Sequence, residues 1–196
     1  IISCSHQPEK ERLVLEAAAQ AAEGERCLLQ AATTDQFKGV AAAALGYGHS
    51  VVSFAPMDVN LTKQLNANLL QLGIPANRIV IDTATGGLGY GLEYSYSIIE
   101  RMRLAALDGD SLLQMPVLAT ASMAWKAREA TEPHSAWGVP EQRGILWEVT
   151  TAMAYAVAGT SLLILLHPKS LQLTRRLLDA VYTKTPNAHK VQDLIR

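Results

Sequence analysis

The 196-residue chain has only two cysteines, Cys4 and Cys27, far apart and in no C-x-x-C spacing. An iron–sulfur cluster or structural zinc needs about four ligands, so these two cannot hold one by themselves, and both read as small apolar residues at strand ends. Charge is nearly balanced at a net −1, which removes the basic footprint of a nucleic-acid binder. Long apolar runs are absent too. The stretches 149–158 and 161–166 are split by Gly159 and stop at His167 and Pro168, too short for a bilayer span. No charged start followed by an apolar stretch marks a secretory signal, so the cytoplasm is the expected compartment. The chain opens Ile1-Ile2-Ser3-Cys4, strand-like and without Met, and is expected to be a piece of a longer polypeptide.

Half the residues are hydrophobic, and they fall into one recurring pattern. Strands are expected at 1–4, 27–32, 50–54, 78–81, 116–121 and 160–166, each short and apolar. A helix follows each, at 8–22, 35–45, 59–72, 93–107, 122–130 with 142–158, and 169–182. Thr34 and Asp58 are the expected N-caps of the second and third helices. The apolar positions Leu13, Leu15, Leu61, Leu65, Leu69, Leu72, Ile98, Ile99, Met102, Leu107, Leu146 and Leu171 are expected to face the core. Six strand–helix units whose strands have no solvated face predict a parallel sheet covered by helices. A complete eight-unit barrel takes about 250 residues. The expected architecture is therefore a TIM-type (βα)8 barrel lacking its first two βα units, spanning 1–182 with a tail at 183–196. An open doubly wound sheet is the alternative.

Chemistry in either architecture gathers at the carboxyl ends of the strands. The dominant feature there is the run 79–97, IVIDTATGGLGYGLEYSYS, a strand that breaks at Asp82 into a loop with Gly86, Gly87, Gly89 and Gly91 before a helix begins. Glycines permit positive φ and close backbone approach, and amides at the helix start would suit a polar or anionic group. The spacing G-x-G-x-G departs from the dinucleotide fingerprint, which argues against a Rossmann site. Other strand ends carry hydroxyls and amides with few carboxylates, Asp58 and Asp82 being the nearest. His6 and His167 read as hydrogen-bonding rim residues, because no third ligand accompanies either at metal spacing. Such a rim favours binding a large polar ligand over acid–base catalysis.

Four segments carry a resemblance: PMDVNLTKQLN at 56–66, the glycine run at 79–97 with ERMR at 100–103, RGILWE at 143–148, and LILLHP at 163–168. In this order they resemble the small subunit of the corrinoid iron–sulfur protein, the delta subunit of the acetyl-CoA decarbonylase/synthase complex. The resemblance covers about residues 1–182. It implies a (βα)8 barrel that pairs with a large subunit bearing a corrinoid (cobalamin) and a [4Fe-4S] cluster. Methyl groups would pass from a methylated pterin or folate, through a methyltransferase, to the corrinoid and on to acetyl-CoA synthase. The chain itself would cap and scaffold the corrinoid, as a non-catalytic subunit. The residues that the resemblance points to for cofactor contact are Asp58, Asn60, Asp82, Thr85, Gly86, Gly87, Leu88, Gly89, Tyr90 and Gly91. Thr83 stands where the motif has Pro, and 121–138 is less family-like. The competing expectation is a pterin-binding methyltransferase of the dihydropteroate-synthase-like class, with Asp58, Asn60 and Asp82 holding the pterin.

Overall fold

A computed structural model describes residues 1–3 and 8–182. Strands β1 (Ile2–Ser3), β2 (Leu28–Ala32), β3 (Ser50–Phe54), β4 (Ile79–Asp82), β5 (Val117–Thr120) and β6 (Leu162–Ile164) form one six-stranded parallel sheet. The order in space is the order in sequence. A doubly wound sheet requires a reversal of strand order, so that alternative is excluded; sequential parallel crossovers of one hand leave the helices on one face, as in a barrel.

The connecting helices are α1 (Pro8–Ala21), α2 (Phe37–Tyr47), α3 (Val59–Gln71), α4 (Leu92–Leu107), α5 (Arg128–Thr131), α6 (Pro140–Ala158) and α7 (Pro168–Tyr182). Short 3₁₀ turns stand at Ala76–Arg78, Ser111–Leu113 and Ala121–Lys126. The segment expected as one helix at 122–130 is thus a 3₁₀ turn followed by α5. Helix α2 starts at Phe37 rather than Asp35, because the carbonyl of Thr33 accepts the amides of Gln36 and Phe37 in a preceding turn. Its cap residue is Gln36, without a side-chain cap, and not Thr34. At α3 the Asp58 carboxylate accepts the Leu61 amide at 2.9 Å, the expected N-cap.

Side chains alternate across a strand with period two. Val51, Ile79, Ile81, Val117 and Ala119 face the helices and join Leu15, Leu65, Leu69, Ile99 and Met102 in the main core. Val52 pairs with Val80, and Phe54 and Leu118 both pair with Asp82, so these residues line the opposite, inner face. Some expected core positions lie outside. Leu13, Leu72, Leu107, Leu146 and Leu171 are exposed, Leu107 by 79 %, because each falls at the edge of its helix's apolar stripe or on a helix without a neighbour there. Strand β6 departs from the expectation of fully covered strands: it ends the sheet, and Leu162 is 39 % exposed. Cys27 is half-buried and free. Cys4, His6 and the tail at 183–196 lie outside the described residues.

One buried polar stitch ties the first units together. His49 is fully buried; its Nδ1 accepts the Cys27 amide at 3.1 Å and its Nε2 lies 2.8 Å from the Ala19 carbonyl. A neutral ring with the proton on Nε2 satisfies both contacts. Replacing His49→Ala strands both backbone groups beside a cavity and is expected to cost about 3 kcal/mol, read as a lower denaturation midpoint with unchanged slope.

Candidate functional site at the strand-end rim

Asp82 is the last residue of β4 and only 3 % exposed. Its Oδ1 accepts the Ala84 amide at 2.9 Å and its Oδ2 accepts from Gln30 Nε2 of β2 at 3.2 Å. Burial disfavours the charged form and pushes its pKa up to about 6, against the opposing effect of the Ala84 and Gln30 donors. The loops beyond β3 and β4 are laced together, Ala55 donating to the Asp82 carbonyl at 3.1 Å and Met57 to that of Thr83 at 2.9 Å. Thr85 continues toward β5, its Oγ1 accepting the Thr120 amide at 2.7 Å.

The glycine loop is a packed turn whose amides are largely used within the protein. Gly86 donates to Ser95 Oγ at 2.9 Å, Leu88 to Thr151 Oγ1 at 3.0 Å, and Tyr90 and Leu92 both donate to the Gly87 carbonyl. The Tyr155 hydroxyl, from α6, donates to the Gly86 carbonyl. The expectation of open amides ready for an anion is corrected at these four positions: side-chain hydroxyls accept the Gly86 and Leu88 amides, and the Gly87 carbonyl accepts those of Tyr90 and Leu92. The glycines have separate reasons. Gly89 and Gly91 sit at φ 70° and 87°, the left-handed region. Gly86 and Gly87 are selected by contact, since a Cβ on Gly87 would lie 2.4 Å from Ala124 Cα and one on Gly86 2.4 Å from the Tyr90 carbonyl oxygen.

Outside this turn lies a shallow cleft of about 430 Å³, walled by Met57, Tyr90, Tyr94 and Met123 and floored by Thr85 and Gly86. Tyr90 and Tyr94 are 53 % and 66 % exposed, so their rings are offered to the surroundings. No charged side chain lines the cleft. Thr85, Gly86, Tyr90 and Gly91 of the residues singled out in the sequence meet here. Gly87 and Leu88 turn inward against Ala124 and Thr151, and Gly89 lies beside Trp147. Asp58 and Asn60 are exposed at the start of α3, Asp58 engaged in capping. Met123 and Ser95 were not singled out: a Met three residues past a strand and a Ser inside a helix carry no local signal of a site.

The neighbouring rim is also rigidly built. Glu148 of α6 is fully buried, and its two oxygens accept the amides of Leu166 and His167. His167 stacks on Trp125, ring centroids 6.0 Å apart, while its Nδ1 accepts the Lys169 amide at 3.1 Å. The Trp125 ring in turn occupies the space that a side chain on Gly144 would fill. His167 is thus a hydrogen-bonded rim residue. Among the described residues, no three His, Cys, Asp or Glu side chains cluster as a metal site, and no helix is long and apolar enough to cross a membrane.

Residues 1–192 match the model of the CO dehydrogenase/acetyl-CoA synthase delta subunit family. The chain belongs to this family. It is 47 % identical over 178 residues to the acetyl-CoA decarbonylase/synthase complex subunit delta of Methanothermobacter thermautotrophicus, covering 90 % of this chain and 46 % of that protein. It is 40 % identical over 189 residues to the corresponding subunit of Methanosarcina mazei, covering 92 % and 43 %. The chain thus spans about half the length of the curated relatives it matches. Among solved structures, dihydropteroate synthase of Yersinia pestis in complex with a pterine-sulfa conjugate superposes with a TM-score of 0.60 at 19 % identity, covering 89 % of this chain and 67 % of that one. A second Yersinia pestis dihydropteroate synthase, in complex with a sulfonamide drug, gives a TM-score of 0.58 at 17 % identity, covering 93 % and 76 %. At such identities the likeness is one of fold, and it agrees with the barrel-type winding of the sheet.

Two outcomes are expected from this geometry. Gly87→Ala drives a methyl into the Ala124 backbone and should destabilise the chain by about 2–4 kcal/mol, whereas Gly89→Ala, with only the Trp147 Nε1 at 3.9 Å, should cost about 1 kcal/mol through its φ alone; denaturant unfolding separates the two. For Asp82 the folded pKa of about 6 lies above the ordinary 3.8. The unfolded chain therefore loses its proton first, and stability should fall as pH rises from about 4 to about 6, then level off, for a total of about 3 kcal/mol. Asp82→Asn should abolish that part of the pH profile, and a profile unchanged by the substitution would show that Asp82 is ionised without penalty.

Proposed function

We propose that this chain is the part of a delta subunit that covers one face of a corrinoid carried by a large iron–sulfur partner subunit, with the strand-end rim as the covering surface. The observation that carries the reading is the open, uncharged cleft of Met57, Tyr90, Tyr94 and Met123 on a rim whose buried carboxylates, Asp82 and Glu148, are held by internal donors. Exposed aromatic and thioether side chains suit the edge of a large, mostly apolar macrocycle. A cleft of about 430 Å³ takes such an edge and not a whole cofactor, which agrees with a group shared between two subunits. The corrinoid supplies the chemistry of carrying a methyl group between donor and acceptor. Tyr90 and Tyr94 orient it and exclude water, the glycine turn holds these rings in place, and Asp58 and Asn60 flank the rim.

In the same reading, residues 1–182 are six units of a (βα)8 barrel. The [4Fe-4S] cluster resides in the large partner, and a methyltransferase and acetyl-CoA synthase dock transiently in the cytoplasm. The second reading, direct pterin binding, is favoured by one observation: buried Asp82 and half-buried Gln30 form a polar pair on the inner face, where a heterocycle with adjacent N–H groups would find an acceptor.

Mixing the purified chain with a corrinoid-bearing large subunit and following visible absorbance across gel filtration tests the first reading. Co-elution of chain and corrinoid is expected, and Tyr90→Ser with Tyr94→Ser should weaken it about tenfold or more without lowering stability, because both rings are exposed. Binding of a methylated pterin by the chain alone, lost in Asp82→Asn, would instead establish the second reading.

A further inference from the structure

One corner of the cleft is built from strained backbone. Met57 and Ala84, from the loops beyond β3 and β4, both line its wall, and both sit in the left-handed region, at φ 55° and 59°. Residues that carry a Cβ rarely adopt that conformation, so it persists only where its surroundings hold it. For Ala84 the holder is Asp82, whose Oδ1 accepts the Ala84 amide at 2.9 Å. The Met57 amide donates to the Thr83 carbonyl, between these two residues, at 2.9 Å. The Ser95 hydroxyl lies 3.3 Å from the Ala84 carbonyl and 4.0 Å from Met57 Sδ. The fully buried Thr83 hydroxyl has no hydrogen-bond partner, so within residues 82–84 the Asp82 carboxylate is the side-chain group that fixes the turn. Asp82 itself does not line the cleft; it holds residues that do.

We infer that Asp82 is a positioning residue for the cleft: its carboxylate charge holds Ala84 in the left-handed region, and through the Thr83 carbonyl that hold fixes where Met57 stands. The inference rests on the function proposed above and gives that site a wall that responds to pH. A charged acceptor binds an amide about twice as strongly as a neutral one. Protonation therefore weakens the hold on Ala84, relaxes its backbone and lets Met57 move. Burial has already raised the Asp82 pKa to about 6, which brings the change close to neutrality. Docking of a macrocycle edge adds little to that burial, because Asp82 is only 3 % exposed beforehand. The side chains that face it are Gln30 of β2, Val52 and Phe54 of β3, Val80 of its own strand and Leu118 of β5, none of them titratable. Asp35 beyond β2, Asp58 beyond β3, Tyr90 and Glu93 beyond β4 and Lys126 beyond β5 are exposed and take no part in its shift. The sign separates this role from a structural one. Ionisation of Asp82 lowers the stability of the whole chain but orders the Met57 wall, so the two respond to pH in opposite directions.

The test labels the methionine methyls of the full 196-residue chain with carbon-13. It follows the Met57 resonance, assigned with Met57→Leu, from well below to well above the Asp82 pKa of about 6. A titration with that midpoint is expected, while the resonance of Met102, fully buried in the core, stays in place. Asp82→Asn removes a buried charge, leaves the chain folded and should abolish the Met57 titration. Binding to a corrinoid-bearing large subunit should tighten about three- to tenfold over the same rise in pH, and stay flat at the weaker value in Asp82→Asn. Adding Ala84→Gly to Asp82→Asn should recover tight binding, because glycine takes positive φ without being held there. A Met57 resonance that does not titrate, one that still titrates in Asp82→Asn, or failure of Ala84→Gly to restore the binding that the unaltered chain shows would each overturn the inference. Absence of corrinoid binding by the unaltered chain, with the Met57 titration intact, would count only against the function proposed above.

Discussion

The rim is organised by the backbone-to-backbone contact between Gly87 and the turn at Ala124. It brings the loop beyond β4 against the loop beyond β5 with no side chain between them, closer than any residue bearing a Cβ would permit. From that contact follow the inward turn of Leu88 toward Thr151, the anchoring of Gly86 by Ser95 and Tyr155, and the outward projection of Tyr90. The glycines do not make this loop mobile. They let it be tied down from α4, α6 and the turn after β5 at once, and a rigid loop presents aromatic rings at little entropic cost on binding.

Beneath it, Asp82 shows how the sheet and the rim share one residue. Its place at the end of β4 puts the carboxyl on the inner face, where Val52, Val80 and Leu118 keep water away. Gln30 and the Ala84 amide compensate part of the loss of solvent, and burial still outweighs them, so the group is poised to hold or release a proton near pH 6. Glu148 plays a quieter part on the neighbouring unit: both oxygens are taken by backbone amides, which fixes the start of α7 and the stacking of His167 on Trp125.

Family membership and fold likeness converge from separate sides. The sequence relatives are delta subunits of acetyl-CoA decarbonylase/synthase complexes, while the structural neighbours at under 20 % identity are dihydropteroate synthases. A parallel sheet wound in sequential order is common ground for both. What separates the two kinds of reading for this chain is the rim: an uncharged cleft of tyrosines and methionines above, a part-buried Asp82–Gln30 pair below. The uncovered edge at β6 concerns the fold and leaves either reading of the rim in place.

Strand and helix order was legible in the sequence because short apolar runs, helical spacing and glycine stops are local signals. Asp58 as an N-cap and the glycine turn at the end of β4 were legible for the same reason, and four ordered motifs pointed to the family. The cap of α2 was misplaced by two residues, since Thr33 accepts the incoming amides through its backbone and not through a side chain. Leu107 and Leu171 read as core from spacing, but burial depends on whether a neighbouring element is present, which spacing along one helix does not encode. Likewise, the pairing of Gly86 with Ser95 and Tyr155, the approach of Ala124 to Gly87, and the meeting of Met57 with Met123 were decided by the tertiary structure alone. Apart from Gly86 with Ser95, each joins residues from separate βα units, and the distance between units in space is set by how the sheet winds and the helices pack.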